Sequence, residues 1–381
     1  MKICFWGDVA GALRGKTSGG GELQIALMAK ALRKSGNEVT VLDREIEEEF
    51  ETDEGIKVLP IKGWKGGIRM IRTFTHQLPG LYFSLIEQNA DIYYCRIRNY
   101  RHIFVYLAAR KINAKFVLGL ASDLDILSIK YRWKYFYKTN LRGLWIIFDS
   151  FFSEIFYPVL IRKSDLVLVQ HTGQQELLRK RNVYSVLFPN LIDSEDIPPQ
   201  SDNFRKDFVY VGSLIRRKGF LSFIELVRRT PEKTYTIIGI PREKADQLLY
   251  EEIKLFKNVS VTGRLCHSDT LRHIANSKAL ISTSPMEGFP NIFIEAWACG
   301  VPVLSLYVDP GGVIKTERLG AVANGNIEKL IEAMDCLSNF DGIANRAMSY
   351  VEHNHLFNSD KINRLNTIFS KLLKEENNFP E

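Results

Sequence analysis

The sequence predicts an α/β protein made of two doubly wound, Rossmann-like domains. The chain has 381 residues, which is too long for one ordinary hydrophobic core. Apolar residues make up 45% of it, enough for well-packed interiors. The order strand, glycine-containing loop, helix, strand occurs twice, once on each side of a polar segment, and this order is typical of doubly wound domains.

The first repeat begins close to the N-terminus. The apolar strand Ile3–Trp6 enters a loop with six glycines, and the helix Glu22–Lys34 leads to a strand at Val39–Leu42. Further strands are predicted at Asp91–Cys95, Lys115–Leu118 and Leu166–Val169.

The second repeat follows residues 189–207, which are rich in Pro, Asp and Ser and are typical of a linker. Strands are predicted at Phe208–Val211, Thr234–Ile238, Val259–Val261, Ala279–Ser282 and Val303–Leu306, alternating with helices at 220–229, 242–256, 268–277 and 292–299. The predicted domains are therefore 1–190 and 191–358, and residues 359–381 are expected to form a C-terminal helix that packs back on the first domain. Because ligands bind beyond the carboxyl ends of parallel strands, we expect the two domains to face each other across a cleft.

Net charge, cysteine distribution and the first residues limit which ligands and which cellular compartment we expect. The formal charge of +7 fits an anionic ligand or an acidic membrane surface and does not by itself imply nucleic acid. The five cysteines are scattered and form no CxxC pair, which favours a reducing cytosol over a disulfide framework or a zinc site. The start of the chain does not resemble a signal peptide, so we expect a cytoplasmic protein, at most peripheral on the inner face of the membrane.

Residues 281–303, ISTSPMEGFPNIFIEAWACGVPV, carry the most informative pattern. An apolar strand enters a Gly/Pro loop with Glu287, and the helix that follows is apolar on every side except at Glu295. Such a helix is buried, and a lone buried carboxylate is costly unless it is paired or hydrogen-bonded. Two interpretations stay open. Glu295 either accepts hydrogen bonds from ligand hydroxyls in the cleft, or forms a structural pair with a buried Arg or Lys.

The glycine loop of the first domain has two competing interpretations. Residues 10–17 (AGALRGKT) nearly match a phosphate-binding P-loop, but Ala10 replaces the first glycine and Gly19–Gly21 interrupt the helix that should follow. The N–H groups of these three glycines, at the start of the next helix, can approach an anion closely. The alternative is a mobile glycine loop without a ligand.

The second domain has three consecutive cations, Arg216, Arg217 and Lys218, between a strand end and a helix start. Cations there oppose the helix macrodipole, so a bound phosphate would relieve the conflict. At least one of the three is expected to be a solvated surface charge.

Asp123-Leu124-Asp125 resembles the DxD motif of metal-dependent sugar transferases. Three-residue patterns of this kind arise often by chance. We interpret Asp123 as a cleft residue without a metal, and the seven histidines form no convincing ligand set.

Taken together, the chain resembles the retaining nucleotide-sugar glycosyltransferases of glycosyltransferase family 4, the group 1 glycosyltransferases, which have the GT-B fold. The similarity is strongest over residues 208–325, in GSLIRRKGF, in NVSVTGRLCHSDTLRHIANSKALISTS, in the E-x7-E motif from Glu287 to Glu295, and in VDPGGVIKTERLGAVA. In the first domain it covers GGGELQIALMAKALRKSGNEVTVL. The resemblance implies transfer of a sugar from a nucleotide-sugar donor to a glycan or lipid-linked acceptor, in cell-surface polysaccharide or glycolipid synthesis. It implies no cofactor, because the nucleotide sugar is a substrate, and it implies no metal, because Lys218 and an arginine would perform that role.

The resemblance also implies roles for individual residues. Glu295 would hold the donor ribose, Glu287 the hydroxyls of the transferred sugar, and Lys218 the departing diphosphate. The implied catalytic residues are Glu287, Lys218, Arg217 and Asp123, and the implied donor-binding residues are Gly20, Gly21, Ser213, Arg264, Leu265, Phe289, Pro290, Asn291 and Glu295.

The sequence departs from the family pattern in two places. Ser213 stands where the family usually has arginine, so Arg216 or Arg217 would supply the missing charge. Ser122-Asp123 stands where many members carry a histidine. These departures keep two alternatives open: a non-catalytic relative that binds a sugar nucleotide, and a GT-B sugar-nucleotide epimerase.

Two basic and aromatic stretches of the first domain suggest a membrane-proximal acceptor. Residues 130–163 and 62–74 combine Lys and Arg with many aromatic side chains, as helices at a bilayer interface do. The alternative is that the aromatic residues belong to the ordinary core of the domain and that the cations are solvated.

Overall fold

The computed structural model describes residues 1–15, 19–63, 66, 68–127, 143–199, 207–242, 244–339 and 341–374. The P-loop-like Lys16-Thr17 and much of the basic, aromatic stretch, residues 128–142, lie outside this part of the chain. The chain divides into two compact units, the first comprising Met1–Pro189 with Phe357–Glu381 and the second Asn190–Leu356.

The first unit is built on one sheet. Its described strands run in the spatial order β3-β4-β2-β1-β5-β6-β7-β8, and they pair in parallel except for β3 with β4. The strands are β1 (Lys2–Trp6), β2 (Glu38–Asp43), β3 (Phe50–Glu51), β4 (Lys57–Pro60), β5 (Ile92–Arg96), β6 (Lys115–Gly119), β7 (Leu166–Val169) and β8 (Ser185–Leu187). The central strands β5 and β7 are buried along their whole length, as expected for a parallel sheet covered on both faces.

Helices connect these strands. They are α1 (Ala10–Leu13), α2 (Gly20–Lys34), α3 (Arg69–Arg72), α4 (Leu78–Gln88), α5 (His102–Lys111), α6 (Gly143–Lys163) and α7 (Thr172–Arg179), with a π-helical turn at Thr73–Gln77. Helix α1 lies where the sequence predicted only a loop. Asp43 Oδ2, at the end of β2, accepts the N–H groups of Val9 at 2.6 Å and Ala10 at 2.7 Å, which supplies a cap that the local sequence does not contain.

The second unit has a sheet that is parallel throughout its described pairings, in the order β11-β10-β9-β12-β13-β14. Its strands are β9 (Phe208–Val211), β10 (Tyr235–Ile238), β11 (Val259–Gly263), β12 (Ala279–Ser282), β13 (Val303–Ser305) and β14 (Gly320–Val322). Its helices are α8 (Phe220–Arg229), α9 (Lys244–Ile253), α10 (His267–Ala275), α11 (Asn291–Ala298), α12 (Val313–Thr316), α13 (Ile327–Asp335) and α14 (Asp341–Asn354). Apolar clusters cover both faces of the sheet, one around Trp297 and the other around Phe223.

The last helix, α15 (Ser359–Leu373), returns to the first unit and packs on α2. Leu365, Ile368 and Phe369 are buried there. Asn37 Nδ2 donates a hydrogen bond to Asn366 Oδ1 at 2.8 Å, which fixes the register of the contact.

The prediction of two doubly wound α/β domains is confirmed. Strands β7, β9 and β12 and helix α8 have the predicted bounds. Gly300 has the left-handed conformation expected of a helix cap, with φ of 64°. Strands β3, β8 and β14, at the edges of the sheets, and β4, next to β3, were not predicted. The edge strands have only two or three residues, and β4 (KVLP) begins with Lys and ends with Pro, so none shows a clear apolar run. No helix in the described ranges is long and apolar enough to cross a bilayer.

Candidate active site

Two loops of the second unit hold each other at the carboxyl ends of the adjacent parallel strands β9 and β12. Thr283 follows β12, and its hydroxyl donates to the carbonyl oxygen of Gly219 at 2.9 Å. Gly219 has φ of 74°, and a Cβ at this position would overlap the Thr283 carbonyl oxygen. Only glycine satisfies both constraints, so the glycine after Lys218 fixes the two loops against each other.

Lys218 and Glu287 meet across these loops. Lys218 Nζ lies 2.5 Å from Glu287 Oε1, and Ser284 Oγ donates to the same oxygen at 2.7 Å. The lysine side chain is 38% exposed and the glutamate 20%, so solvent screens the pair and its net contribution to stability is small. Tyr210 lies beneath them, and burial together with the negative charge of Glu287 raises the pKa of its hydroxyl. Two of the predicted catalytic residues are thus brought together.

Glu295 is buried on α11 and is not alone. Its Oε1 lies 3.3 Å from His267 Nε2, and His267 Nδ1 lies 3.6 Å from Asp196 Oδ2. The neighbouring carboxylates of Asp196, first, and Glu295 raise the pKa of His267 to about 10, so the imidazole is charged at neutral pH. The carboxylate therefore has an internal partner, which is a partly exposed histidine on α10 rather than the buried Arg or Lys of the structural alternative.

Asn190 forms hydrogen bonds to the start of α11. Its side-chain amide donates to the carbonyl oxygen of Phe289 at 2.9 Å and to Asn291 Oδ1 at 2.7 Å, and its own carbonyl oxygen accepts from His355 Nδ1 at 2.7 Å. The Phe289 ring is buried against His355, so only its backbone is available for the predicted ligand contact. Pro290 is the extended residue that precedes the helix, with ψ of 125°. This end of α11 is consequently rigid, as an anion-binding helix start requires.

Arg216 and Arg217 are exposed on a short 3-10 helix that also contains Lys218, after the partly buried Ser213. The structure distinguishes Lys218 from the two arginines by its contact with Glu287, and it does not favour either arginine as the replacement at Ser213. Beyond β11, Arg264 is exposed while Leu265 packs on the core around Trp297.

In the first unit, the predicted glycines begin helix α2. Gly19 is the extended residue before it, and a Cβ on Gly21 would lie 2.6 Å from the side chain of Ile97. The glycine at position 21 is therefore explained by packing against the loop after β5. The acidic Glu22 occupies the first turn, which already complements the helix dipole and counts against a bound anion at this end of α2.

Asp123 and Asp125 have different environments. The buried Asp125 accepts the N–H groups of Ala121 at 2.9 Å and Ser122 at 3.0 Å through one oxygen, which makes it a capping residue. Asp123 is partly exposed. Its Oδ1 lies 2.9 Å from His171 Nε2 and accepts from Gln174 Nε2 at 2.9 Å. Within the described residues, no group of three His, Cys, Asp or Glu side chains is arranged to hold a metal ion.

Several residues of these sites were missed by sequence reasoning. His171 reaches Asp123 from the end of β7, and His267 and Asp196 reach Glu295 from different elements. A signal for His267 existed, since it lies in a segment that resembles the family. Asn190 stands in what the sequence suggested was a linker and had no signal.

Comparison with known proteins shows what the second unit is similar to. Residues 205–339 match the family model described as "Glycosyl transferases group 1". The chain is 28% identical over 190 residues to a subunit of the human phosphatidylinositol N-acetylglucosaminyltransferase, and the match covers 45% of this chain and 38% of that protein. It is 32% identical over 99 residues to the lipopolysaccharide core biosynthesis glycosyltransferase LpsE of Rhizobium meliloti strain 1021, covering 25% and 28% of the two chains. This chain thus spans half or less of the length of the curated relatives it matches.

Solved structures show the fold of the whole chain. Sucrose-phosphate synthase from Thermosynechococcus elongatus is similar with a TM-score of 0.77 and 14% identity, over 98% of this chain and 99% of that one. WaaG, a glycosyltransferase of lipopolysaccharide biosynthesis, is similar with a TM-score of 0.68 and 15% identity, over 97% and 99%. The fold is GT-B, and the predicted resemblance to the group 1 glycosyltransferases is confirmed.

Proposed function

We propose that the protein is a glycosyltransferase of the hexosyltransferase class. It moves a sugar from a nucleotide-sugar donor to a glycan or lipid-linked acceptor, with retention of anomeric configuration and without a metal ion. The observation that carries this proposal is the Lys218–Glu287 pair, set on two interlocked loops at the carboxyl ends of β9 and β12. Ligands of open α/β sheets bind at this edge.

Donor binding would separate Lys218 from Glu287 and give each of them a new partner on the donor. The leaving diphosphate is a stronger anion than one carboxylate, so Lys218 would turn to it and free Glu287 for the hydroxyls of the sugar. As the glycosidic bond breaks, the sugar becomes oxocarbenium-like and negative charge grows on the phosphate. A fixed cation and helix N–H dipoles aimed at that charge each lower the barrier by about 3 kcal/mol.

Glu295 would hold the ribose. Its Oε1 lies beside His267, and a carboxylate can accept hydrogen bonds from two neighbouring hydroxyls. The internal pair does not prevent this role, because His267 is partly exposed and one carboxylate oxygen is enough to keep the pair.

Metal independence is supported by the chemistry of the first unit. The DxD-like pair does not offer two exposed carboxylates, because Asp125 is buried and one of its oxygens accepts two backbone N–H groups. Lys218, with Arg216 or Arg217, would supply the positive charge that a metal supplies elsewhere.

Two substitutions test the donor site, one through donor affinity and the other through turnover. Glu295→Gln should weaken donor binding about 10-fold or more, the usual value of a charge-assisted hydrogen bond. Lys218→Ala should lower turnover about 100-fold and affinity much less, because its main partner develops in the transition state. Matched controls are Glu251→Gln and Lys254→Ala, an exposed pair on the same unit.

The assay would follow nucleotide release with UDP-, GDP- and ADP-sugars, in EDTA, with and without acceptor. Unchanged kinetics in both site variants would contradict the assignment. Binding without turnover would favour the non-catalytic relative, product formed without acceptor the epimerase, and loss of all activity in EDTA a metal at Asp123.

We further propose that the first unit approaches an anionic membrane surface. Phe151, Ile155 and Val159 recur every four residues on α6 and are 55%, 44% and 49% exposed, followed by the exposed Arg162 and Lys163. An apolar stripe ending in cations fits an anionic bilayer interface. The relatives named for phosphatidylinositol and lipopolysaccharide are in keeping with a lipid-linked acceptor.

Co-sedimentation with anionic liposomes at low salt tests the surface. Ile155→Ser should reduce binding several-fold, whereas Leu248→Ser, an equally apolar and 77% exposed position of the second unit, should not. Absence of binding by the unaltered protein would end the proposal.

A further inference from the structure

Three arginines lie within six residues at the carboxyl end of β5, Arg96 as its last residue and Arg98 and Arg101 just after it, and all three are withdrawn from solvent. Arg96 and Arg101 are buried, and the side chain of Arg98 is only 14% exposed. A guanidinium keeps its charge in any environment, so burying several of them close together costs free energy unless negatively charged or hydrogen-bonding groups compensate. Strand β5 is central in the first sheet, and its carboxyl end is where a ligand is expected.

The backbone of this loop is strained. Ile97 has φ of 65°, a left-handed conformation that a β-branched residue rarely adopts. The contact of its side chain with Gly21 shows that the start of α2 is shaped to admit it. Strain of this kind persists where the surrounding structure enforces it, and it is typical of ligand sites.

Polar atoms beside Arg98 are buried without a hydrogen-bond partner. Arg98 Nη2 donates to the Ser153 carbonyl oxygen at 2.9 Å and lies 3.0 Å from Glu154 Oε1. Within the described residues, Nη1 has no partner, nor has the hydroxyl of Tyr157, whose ring centroid is 5.3 Å from the guanidinium carbon. Two unsatisfied hydrogen-bond donors so close together match an acceptor with several oxygens.

The acceptors that contact Arg98, the Ser153 carbonyl oxygen and Glu154 Oε1, both lie against Nη2. Asp125, whose charge acts on Arg98 and Arg96, already uses one oxygen for the N–H groups of Ala121 and Ser122.

We propose that Arg98 and Tyr157, with Arg96, bind an oxyanion of the acceptor, a phosphate or a carboxylate, so that the enzyme selects acidic acceptors. The inference rests on the proposed transfer reaction for its meaning, but the site itself can be tested without turnover.

Inorganic phosphate is the first probe, titrated calorimetrically into the full chain carrying Lys218→Ala, which removes the phosphate contact expected in the second unit. Adding Arg98→Gln should weaken phosphate binding at least 10-fold. Adding Arg110→Gln should not change it, because Arg110 is an exposed cation of the same unit paired with Asp165. Glucuronate and glucose 6-phosphate should compete with phosphate, and glucose should not. Their relative strength distinguishes a carboxylate from a phosphate acceptor.

Tyr157→Phe is a second variant that is expected to fold normally, so a loss of phosphate affinity in it cannot be due to unfolding. It removes one buried oxygen that has no hydrogen-bond partner among the described residues, so the melting temperature should stay or rise while phosphate affinity falls about 5-fold. Glu154→Gln should strengthen binding, because it removes the negative charge beside Arg98. A purely structural role for the cluster predicts neither result.

Equal phosphate affinity in the parent, Arg98→Gln and Tyr157→Phe chains would overturn the inference, as would a parent that binds no phosphate. Donor binding, measured separately on the unaltered protein, keeps the two proposals apart. Donor turnover without phosphate binding removes only the acidic acceptor, and phosphate binding without any donor binding removes only the glycosyltransferase.

Discussion

Replacing Gly219 with alanine tests whether the two loops of the candidate site hold each other. Alanine at φ of 74° costs about 1–2 kcal/mol in backbone strain. Its Cβ would also overlap the Thr283 carbonyl oxygen, and the shift needed to relieve that overlap would break the hydrogen bond from the Thr283 hydroxyl, worth about 1 kcal/mol. The expected total is about 3 kcal/mol. For a domain of this size, that lowers the melting temperature by about 6–12 °C.

Gly312→Ala is the matched control. Gly312 has φ of 82°, and a methyl group added to its Cα would meet no atom within 4 Å, so alanine there incurs the strain alone. Calorimetric melts should show a drop of about 2–8 °C for this variant and a larger one for Gly219→Ala. Equal melting temperatures for the two variants would refute the argument that Gly219 and Thr283 lock the loops together.

Two further predictions concern charged side chains. The pKa of His267 is raised to about 10, first by Asp196 and then by Glu295, so its stabilising effect is complete below pH about 6.5 and is lost as pH rises toward 10. In urea titrations the stability difference between the unaltered protein and His267→Gln should therefore shrink across that window, and a constant difference would contradict the pair. Asp125→Ala should destabilise the first unit by about 2–3 kcal/mol in thermal melts, because two backbone N–H groups lose their acceptor. A melting temperature of the unaltered protein that rises with Mg²⁺ would instead point to a metal at Asp123.

The sequence was sufficient for the regular part of the fold. Apolar strands followed by glycine loops located β1, β9 and β12, and the E-x7-E spacing put Glu287 and Glu295 in one segment. Lys218 and Glu287 are 69 positions apart, yet their contact follows once β9 and β12 are neighbours, since both residues lie just beyond the same sheet edge.

Contacts that depend on the closed tertiary structure could not be predicted. Asp43 caps α1 from the end of another strand, and Asn190 supports α11 from the segment interpreted as a linker. His267 reaches Glu295 from a neighbouring helix. In each case a polar side chain forms a hydrogen bond or ion pair with a group far away in the sequence. Such a pairing leaves no trace in the local periodicity or spacing of residues.

The return of α15 to the first unit has a consequence for biosynthesis. On the ribosome, everything the second unit needs has been translated by Leu356, whereas the first unit still lacks the helix that covers α2 and brings Phe369 close to Tyr94. The first unit therefore cannot complete its packing until the segment that follows the whole second unit has been synthesised, a departure from the usual order in which the N-terminal domain folds first. Until α15 leaves the ribosome, the apolar surface of the first unit that α15 covers stays exposed and is a candidate binding site for chaperones.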